Sequence, residues 1–259
     1  MIVDEVNKAY VRDLMRTGKR ADGRGMLDYR QAVIQQGYVP NAEGSAMVSL
    51  GDTKVLAGVK LDLVAPFPDR PDEAVISFNA EFSPIAHPTF EAGPPNEHSI
   101  ELARVVDRGI RSAEVINLKQ LGKTKTEAGK VLGIYVDLYI LDQCGNLIDC
   151  AALAAMAALR NTQMPKIEGE KLVRLDFTGP LPLTRQVIAC SFETIEGKVV
   201  LDASYGEEVA SDGRFTVSVT DDGKICASQK SGAAGFTKEQ VLEFTDIAFE
   251  KGIALLEKI

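Results

Sequence analysis

Apolar residues along this chain keep two periods, and the switch between them lays out the elements. Val3, Val6, Tyr10 and Leu14 recur at spacings of three, four and four, one face of a helix over 3–17 that ends at Gly18. A turn on Asp22-Gly23 follows within 20–25. From Tyr29 to Phe82 the period becomes that of strands. These are expected at 29–39, 45–50, 53–63 and 74–82, with Gly51-Asp52 turning the second into the third. Pro84, Pro88, Pro94 and Pro95 then mark a loop that cannot sit inside a sheet.

Helical spacing returns over 96–117, followed by a connection bearing Lys119, Lys123, Lys125 and Lys130. The β-branched and tyrosine-rich run 131–141 predicts a strand, and Cys144-Gly145-Asn146 a turn. Asp149 is read as the cap of an alanine-rich helix running to Asn161. The stretch 163–170 is the expected boundary between two lobes. Beyond it, strands are expected near 171–177, 187–194, 198–203, 213–220 and 224–230, with a hairpin at Glu196-Gly197. A small-residue linker at 231–235 leads to Thr237-x-x-Gln240, a capping box that opens a last helix. Strands followed by helices, twice, predict an α+β fold of two similar strand-rich lobes with packed helices. The first lobe spans 1–163 and includes the N-terminal helix; the second spans 164–259.

Composition narrows the function classes. The 259 residues are 45% apolar and 25% charged, as in ordinary soluble domains. No apolar run reaches membrane-spanning length, and the first residues lack the layout of a signal peptide, so a cytoplasmic location and no membrane partner are expected. A net charge of −8 and a pI of about 5.0 argue against a broadly basic nucleic-acid coat. Any nucleic-acid contact must therefore have its positive charge focused in one place, or partly supplied by a partner. Cys144, Cys150, Cys190 and Cys226 form no C-x-x-C pair, so no metal site or redox motif is expected. His87 and His98 read as structural.

Three places could carry chemistry. Arg104, Arg108 and Arg111 fall with Glu101 within roughly an 80° arc of a 3.6-residue helix. The row is either a solvated face held by Glu101–Arg104 and Asp107–Arg111 pairs, or a phosphate-facing row of guanidinium forks. Asp202, Glu207 and Glu208 follow an apolar strand and could do acid/base work or be polar loop residues. The turn at 142–149 leads into a helix N-terminus, where an anion can bind. Leu147, Ile148 and the negative Asp149 at its mouth disfavour phosphate.

Taken in order, these segments resemble the RNase PH family over nearly the whole chain. Arg20-Ala21-Asp22-Gly23-Arg24 resembles its R-x-D-G-R entry, and Gly44-Ser45-Ala46 with Gly51-Asp52-Thr53-Lys54-Val55 its first strand pair. Glu101-x-x-Arg104-x-x-x-Arg108 resembles its arginine helix, and Leu201-Asp202 with Glu207-Glu208 its acidic segment. The resemblance implies an RNase PH-like fold and phosphate-dependent 3′-to-5′ RNA degradation. An active member carries Ser or Thr followed by Arg before the alanine-rich helix, two aspartates six residues apart, and arginines ahead of the long helix.

This chain departs from each of those features. Leu147 and Ile148 stand at the phosphate-binding pair, Glu208 stands where the second aspartate is expected after Asp202, and the segment 94–97 carries no arginine. The combination is similar to non-catalytic ring subunits of archaeal exosomes. It implies no catalytic residue and no cofactor in this chain. It also implies Arg104 and Arg108, with Arg111 beside them, as RNA-binding residues. Inorganic phosphate is then a co-substrate at the site of a partner. The implied partners are an active RNase PH-like subunit, three such heterodimers forming a hexameric ring, together with RNA-binding cap subunits and single-stranded RNA. A self-sufficient phosphorolytic exoribonuclease and a pure scaffold without RNA contact are the competing readings.

Overall fold

The alanine-rich helix expected near 150 stands at the centre of the fold, with a sheet against it on either side. The computed structural model describes residues 2–259; the side chains of residues 1–4 and of Leu175 lie outside that description, and with them the placement of Val3 on a helix face. In chain order the first part comprises α1 (Ile2–Arg16), β1 (Ala32–Gln36), β2 (Gly44–Leu50), β3 (Thr53–Val64), β4 (Val75–Phe82), α2 (Glu97–Ser112), α3 (Leu118–Gly122), β5 (Val131–Asp142) and α4 (Leu147–Asn161). The second comprises β6 (Gln163–Glu168), β7 (Lys171–Pro180), β8 (Val187–Ile195), β9 (Lys198–Leu201), α5 (Tyr205–Ala210), β10 (Gly213–Thr220), β11 (Ile225–Gly232), α6 (Lys238–Ile247) and α7 (Ile253–Leu256).

The first sheet has the order β1-β2-β3-β5-β4, and the second the order β11-β10-β8-β9. All pairings are antiparallel except β4 with β5, which run parallel because α2 and α3 carry the chain across between them. Every residue of α4 from Ile148 to Leu159 is buried. Its short alanine side chains let backbones approach it from both sides, β2 and β3 on one and β8 on the other. Gly44 of β2 shows how close that approach is: a Cβ there would stand 2.6 Å from the Ala158 carbonyl oxygen. One continuous apolar core therefore runs through both sheets.

Several boundaries differ from the sequence-based expectation, each for a physical reason. The strand expected over 29–39 is confined to β1, because Tyr29 and Arg30 turn inward to buried carboxylates. The long helix stops at Ser112, and Glu114 takes a left-handed φ of 50° before Asn117 caps α3. The stretch 163–170 includes β6, which pairs with β7 in a separate hairpin. Asn146, not Asp149, caps α4: its side chain accepts from the Asp149 N–H at 3.4 Å, and Asp149 lies within the first turn. On α1 the buried positions are Val11 and Met15, while Val6 and Tyr10 are exposed. The helix docks through its C-terminal half onto the second lobe, against Ile195, Val200, Ala203 and Ala210. Among the described residues no helix is long and apolar enough to cross a membrane. All four cysteines are free, Cys150 and Cys190 fully buried.

Candidate functional site

The two segments that stand furthest apart in the sequence meet in one polar cluster. β9 ends at Leu201, and Asp202 takes a left-handed φ of 54° that turns the chain toward α5. Ser204 caps α5 in a capping box closed by Glu207. The Arg20 guanidinium, buried at 3% exposure, donates to both Glu207 carboxylate oxygens at 2.9 and 2.7 Å. It also donates to the Leu201 and Asp202 carbonyls at 2.9 and 2.8 Å. The Asp202 carboxylate, 0% exposed, accepts from Arg24 Nη1, from the Arg30 backbone N–H, Nε and Nη2, and from Asn146 Nδ2, at 2.8–2.9 Å. These donors engage both carboxylate oxygens of Asp202 and leave it no access to solvent. The Arg20–Arg24 motif is therefore the counter-charge of the acidic segment and fastens the N-terminal segment to the second lobe.

Asn146 joins this cluster to the mouth of α4. It is itself left-handed, at φ 54°, and its Nδ2 reaches both Asp202 and Asp149. Its backbone N–H donates to Glu208 Oε1 at 2.8 Å. The neighbouring Gly145, at φ 98°, lies against the second lobe so closely that a Cβ would meet the Ala203 carbonyl oxygen at 2.4 Å. Glu208 thus brings a carboxylate to the place where a helix N-terminus would otherwise receive an anion. Leu147 and Ile148 follow as the first residues of the helix, half-buried and buried respectively. They line a cleft of about 290 Å³ together with Phe82, Phe90, Glu101, Tyr205, Glu208 and Arg214. The positions expected to be a degenerate phosphate site and the second acidic position share this cleft. Asp202 is absent from its lining and lies behind Asn146.

The arginine row is on the exposed side of α2, and its members differ. Arg111 is tied down: it donates to both Asp107 carboxylate oxygens, at 3.3 and 2.8 Å, and to the Ile76 carbonyl. That is the helical pair expected for a solvated face. The other expected pair, Glu101–Arg104, does not form. Glu101 instead accepts from Gln229 Nε2 at 2.7 Å and lies 3.8 Å from Arg214. Arg104 is exposed and makes no hydrogen bond or ion pair among the described residues. Arg108, also exposed, donates to Gln229 Oε1 at 2.8 Å and meets no carboxylate.

Buried acids surround the site, and burial is the first cause of their raised pKa values. Asp149, 1% exposed, is pushed up to about 6, against the pull of hydrogen bonds from Asn146, Ser191 and Tyr29. Glu193, 4% exposed, is pushed up to about 7 despite a hydrogen bond from Ser211 and the nearby Arg214. Glu208 is raised in the same direction for the same reason. Sequence reasoning named Arg20 only within the R-x-D-G-R segment and Asn146 only as a turn residue, and it missed Arg30, Glu193 and Arg214. Only Ser204-x-x-Glu207 carried a local signal, a capping box that places Glu207 in a helical first turn.

A two-sheet α+β fold, an arginine-bearing crossover helix and an acidic turn packed on a glycine elbow define a class. The chain belongs to the 3′ exoribonuclease (RNase PH) family, whose first domain matches residues 28–165 and whose second matches residues 185–251. It is 42% identical to the exosome complex component Rrp42 of Thermococcus kodakarensis, over 100% of this chain and 96% of that one. It is 42% identical to the Rrp42 of Methanothermobacter thermautotrophicus, over 99% and 95%. Among solved structures it superposes with TM-score 0.90 and 38% identity on a chain of an Archaeoglobus fulgidus exosome with RNA bound to the active site, covering 100% and 99%. A chain of an archaeal exosome core gives TM-score 0.85 and 36% identity, covering 99% and 97%.

Proposed function

We propose that this chain is a ring subunit of an exosome that binds RNA for a neighbouring subunit's phosphorolytic site and performs no chemistry itself. The observation that carries this reading is the state of its own candidate site. The α4 mouth presents Leu147 and Ile148, and the Asn146 N–H that could hold an anion is taken by Glu208. A phosphate placed there would meet an apolar wall and the Glu208 carboxylate, and the one arginine lining the cleft, Arg214, already lies between Glu101 and Glu193. The one acid at the expected first position, Asp202, is engaged by Arg24, Arg30 and Asn146 and lines no part of the cleft, so it is not placed to meet a leaving oxygen.

What this chain offers instead is positive charge. Arg104 and Arg108 point outward, and neither is committed to a carboxylate, so a purely scaffolding role leaves them unexplained. Guanidinium groups match phosphate oxygens in geometry and charge. Arg111 contributes less, because Asp107 already neutralises it. The relatives are exosome components, which supports partnership with an active RNase PH-like subunit, three heterodimers closing a hexameric ring beneath RNA-binding cap subunits in the cytoplasm. There inorganic phosphate, as co-substrate at the partner's site, attacks the last phosphodiester bond of single-stranded RNA and releases a nucleoside diphosphate. The test is phosphorolysis by the purified chain, by the purified partner and by the two reconstituted together. Nucleoside diphosphate should be released by the mixed ring and not by this chain alone. Phosphate-dependent release by this chain alone would overturn the reading.

A further inference from the structure

The cleft at the α4 mouth is poorly made for phosphate and well made for something else. One wall is a run of rings in mutual contact. Phe82 and Phe90 lie 4.6 Å apart between centroids, Phe90 and His87 5.5 Å, and His87 and Tyr205 4.6 Å. Phe82, Phe90 and Tyr205 of this run line the cleft, with Leu147 and Ile148 beside them. All but Ile148 are partly exposed, so the apolar surface is open and not closed into the core.

The polar groups stand around this apolar surface. Glu208, Gln143, Glu101, His98 and Arg214 supply both donors and acceptors. The arginine among them lies 3.8 Å from Glu101 and 3.9 Å from Glu193, so its charge is already shared between carboxylates. The balance of charge facing the cleft therefore excludes an anion, while the rings and the mixed polar edge remain. The volume, about 290 Å³, is at the small end of ligand sites, enough for one flat ring system and little more.

We infer that this cleft binds a nucleobase, stacked on the Phe82–Phe90–Tyr205 wall with its edge toward Glu208 and Gln143. A base is flat, uncharged and edged with both donors and acceptors, and every base presents a π-face to an aromatic wall. The base comes either from RNA or from a free nucleoside; both present the same chemistry. The cleft takes the neutral part of the nucleotide, and none of Arg104, Arg108 and Arg111 lines it.

The test uses the full-length chain with adenosine, uridine, inorganic phosphate and a short oligoribonucleotide as probes. Saturation transfer from protein to the base protons, followed by titration, reads binding. Adenosine or uridine should bind at millimolar concentration, and equal phosphate should not displace it. Phe90→Ala should weaken binding by about fivefold or more, the scale of one lost stacking contact. Leu147→Glu, at a half-exposed position, adds a charge to the wall without emptying the core and should do the same. Circular dichroism checks that both variants fold. If the two variants also weaken the oligoribonucleotide, the base comes from RNA. If they weaken only the nucleosides, the ligand is a free nucleoside. Absence of transfer to either nucleoside, displacement by phosphate, or unchanged affinity in folded Leu147→Glu would each overturn the inference. None of these outcomes bears on Arg104 or Arg108, so failure here is distinguishable from failure of the proposed ring function.

Discussion

Arg20 and Glu207 are fully withdrawn from water, and their bidentate contact fixes what each can do. A buried pair of this kind stabilises little over an apolar pair of the same shape, but removing one partner strands the other charge. Glu207→Ala should therefore cost about 3–5 kcal/mol in urea unfolding, and the double substitution Arg20→Met/Glu207→Leu should cost less than Glu207→Ala alone. The same scale governs pH. The raised acids hold their protons in the folded chain after the unfolded chain has lost them. Below the unfolded value their contribution is complete, and it declines as pH rises through the folded value. For Glu193 that window runs from about 4.5 to about 7, and for Asp149 from 3.8 to about 6. Glu193→Gln should flatten the fall in stability between those limits, measured as denaturant midpoints across pH. An unchanged slope would show that Glu193 titrates normally. None of this was legible in the sequence, because Arg20 and Glu207 are 187 positions apart and no local pattern couples them. The pair of left-handed residues, Asn146 and Asp202, was equally silent: each is held there by its hydrogen bonds to the other side of the cluster.

At the scale of elements, what the sequence revealed follows from the range of the forces. The strands β2, β3, β4, β5 and β10 and the α6 cap were readable, since alternation and capping boxes act over a few residues. The short helix α5 offered only its Ser204-x-x-Glu207 capping box, because six residues including a glycine carry no helical period. The docking of α1 was misread for a related reason. Val6 and Tyr10 satisfy the period as well as Val11 and Met15 do, and only the position of the second lobe chooses between them. Burial now makes a prediction. Met15→Ala, at 1% exposure, should destabilise the chain by about 2–5 kcal/mol, whereas Tyr10→Ala, at 56%, should change stability little. Amide exchange in α5 and β9 should quicken in the Met15 variant before it does in β3 and β5, whose core is separate.

For the whole molecule, a net charge of −8 leaves the exposed Arg104 and Arg108 of α2, neither paired with a carboxylate, as the place where the proposed RNA contact is focused. The candidate site divides accordingly. Its acidic and apolar half, at Asp202, Glu208, Leu147 and Ile148, is spent on holding the two lobes together and on lining an aromatic cleft. Its basic half, at Arg104 and Arg108, remains open. Counterion release makes each lost phosphate contact visible as a shallower salt dependence of RNA binding, so the basic half can be counted directly. The most direct measurement is the rate of phosphate-dependent nucleoside diphosphate release by a ring reconstituted from the active partner and this chain carrying Arg104→Glu and Arg108→Glu. The account predicts intact assembly by mass, weaker RNA binding, and a rate lower by about tenfold or more, the equivalent of about 1.4 kcal/mol. An intact ring with unchanged RNA affinity and unchanged rate would contradict it.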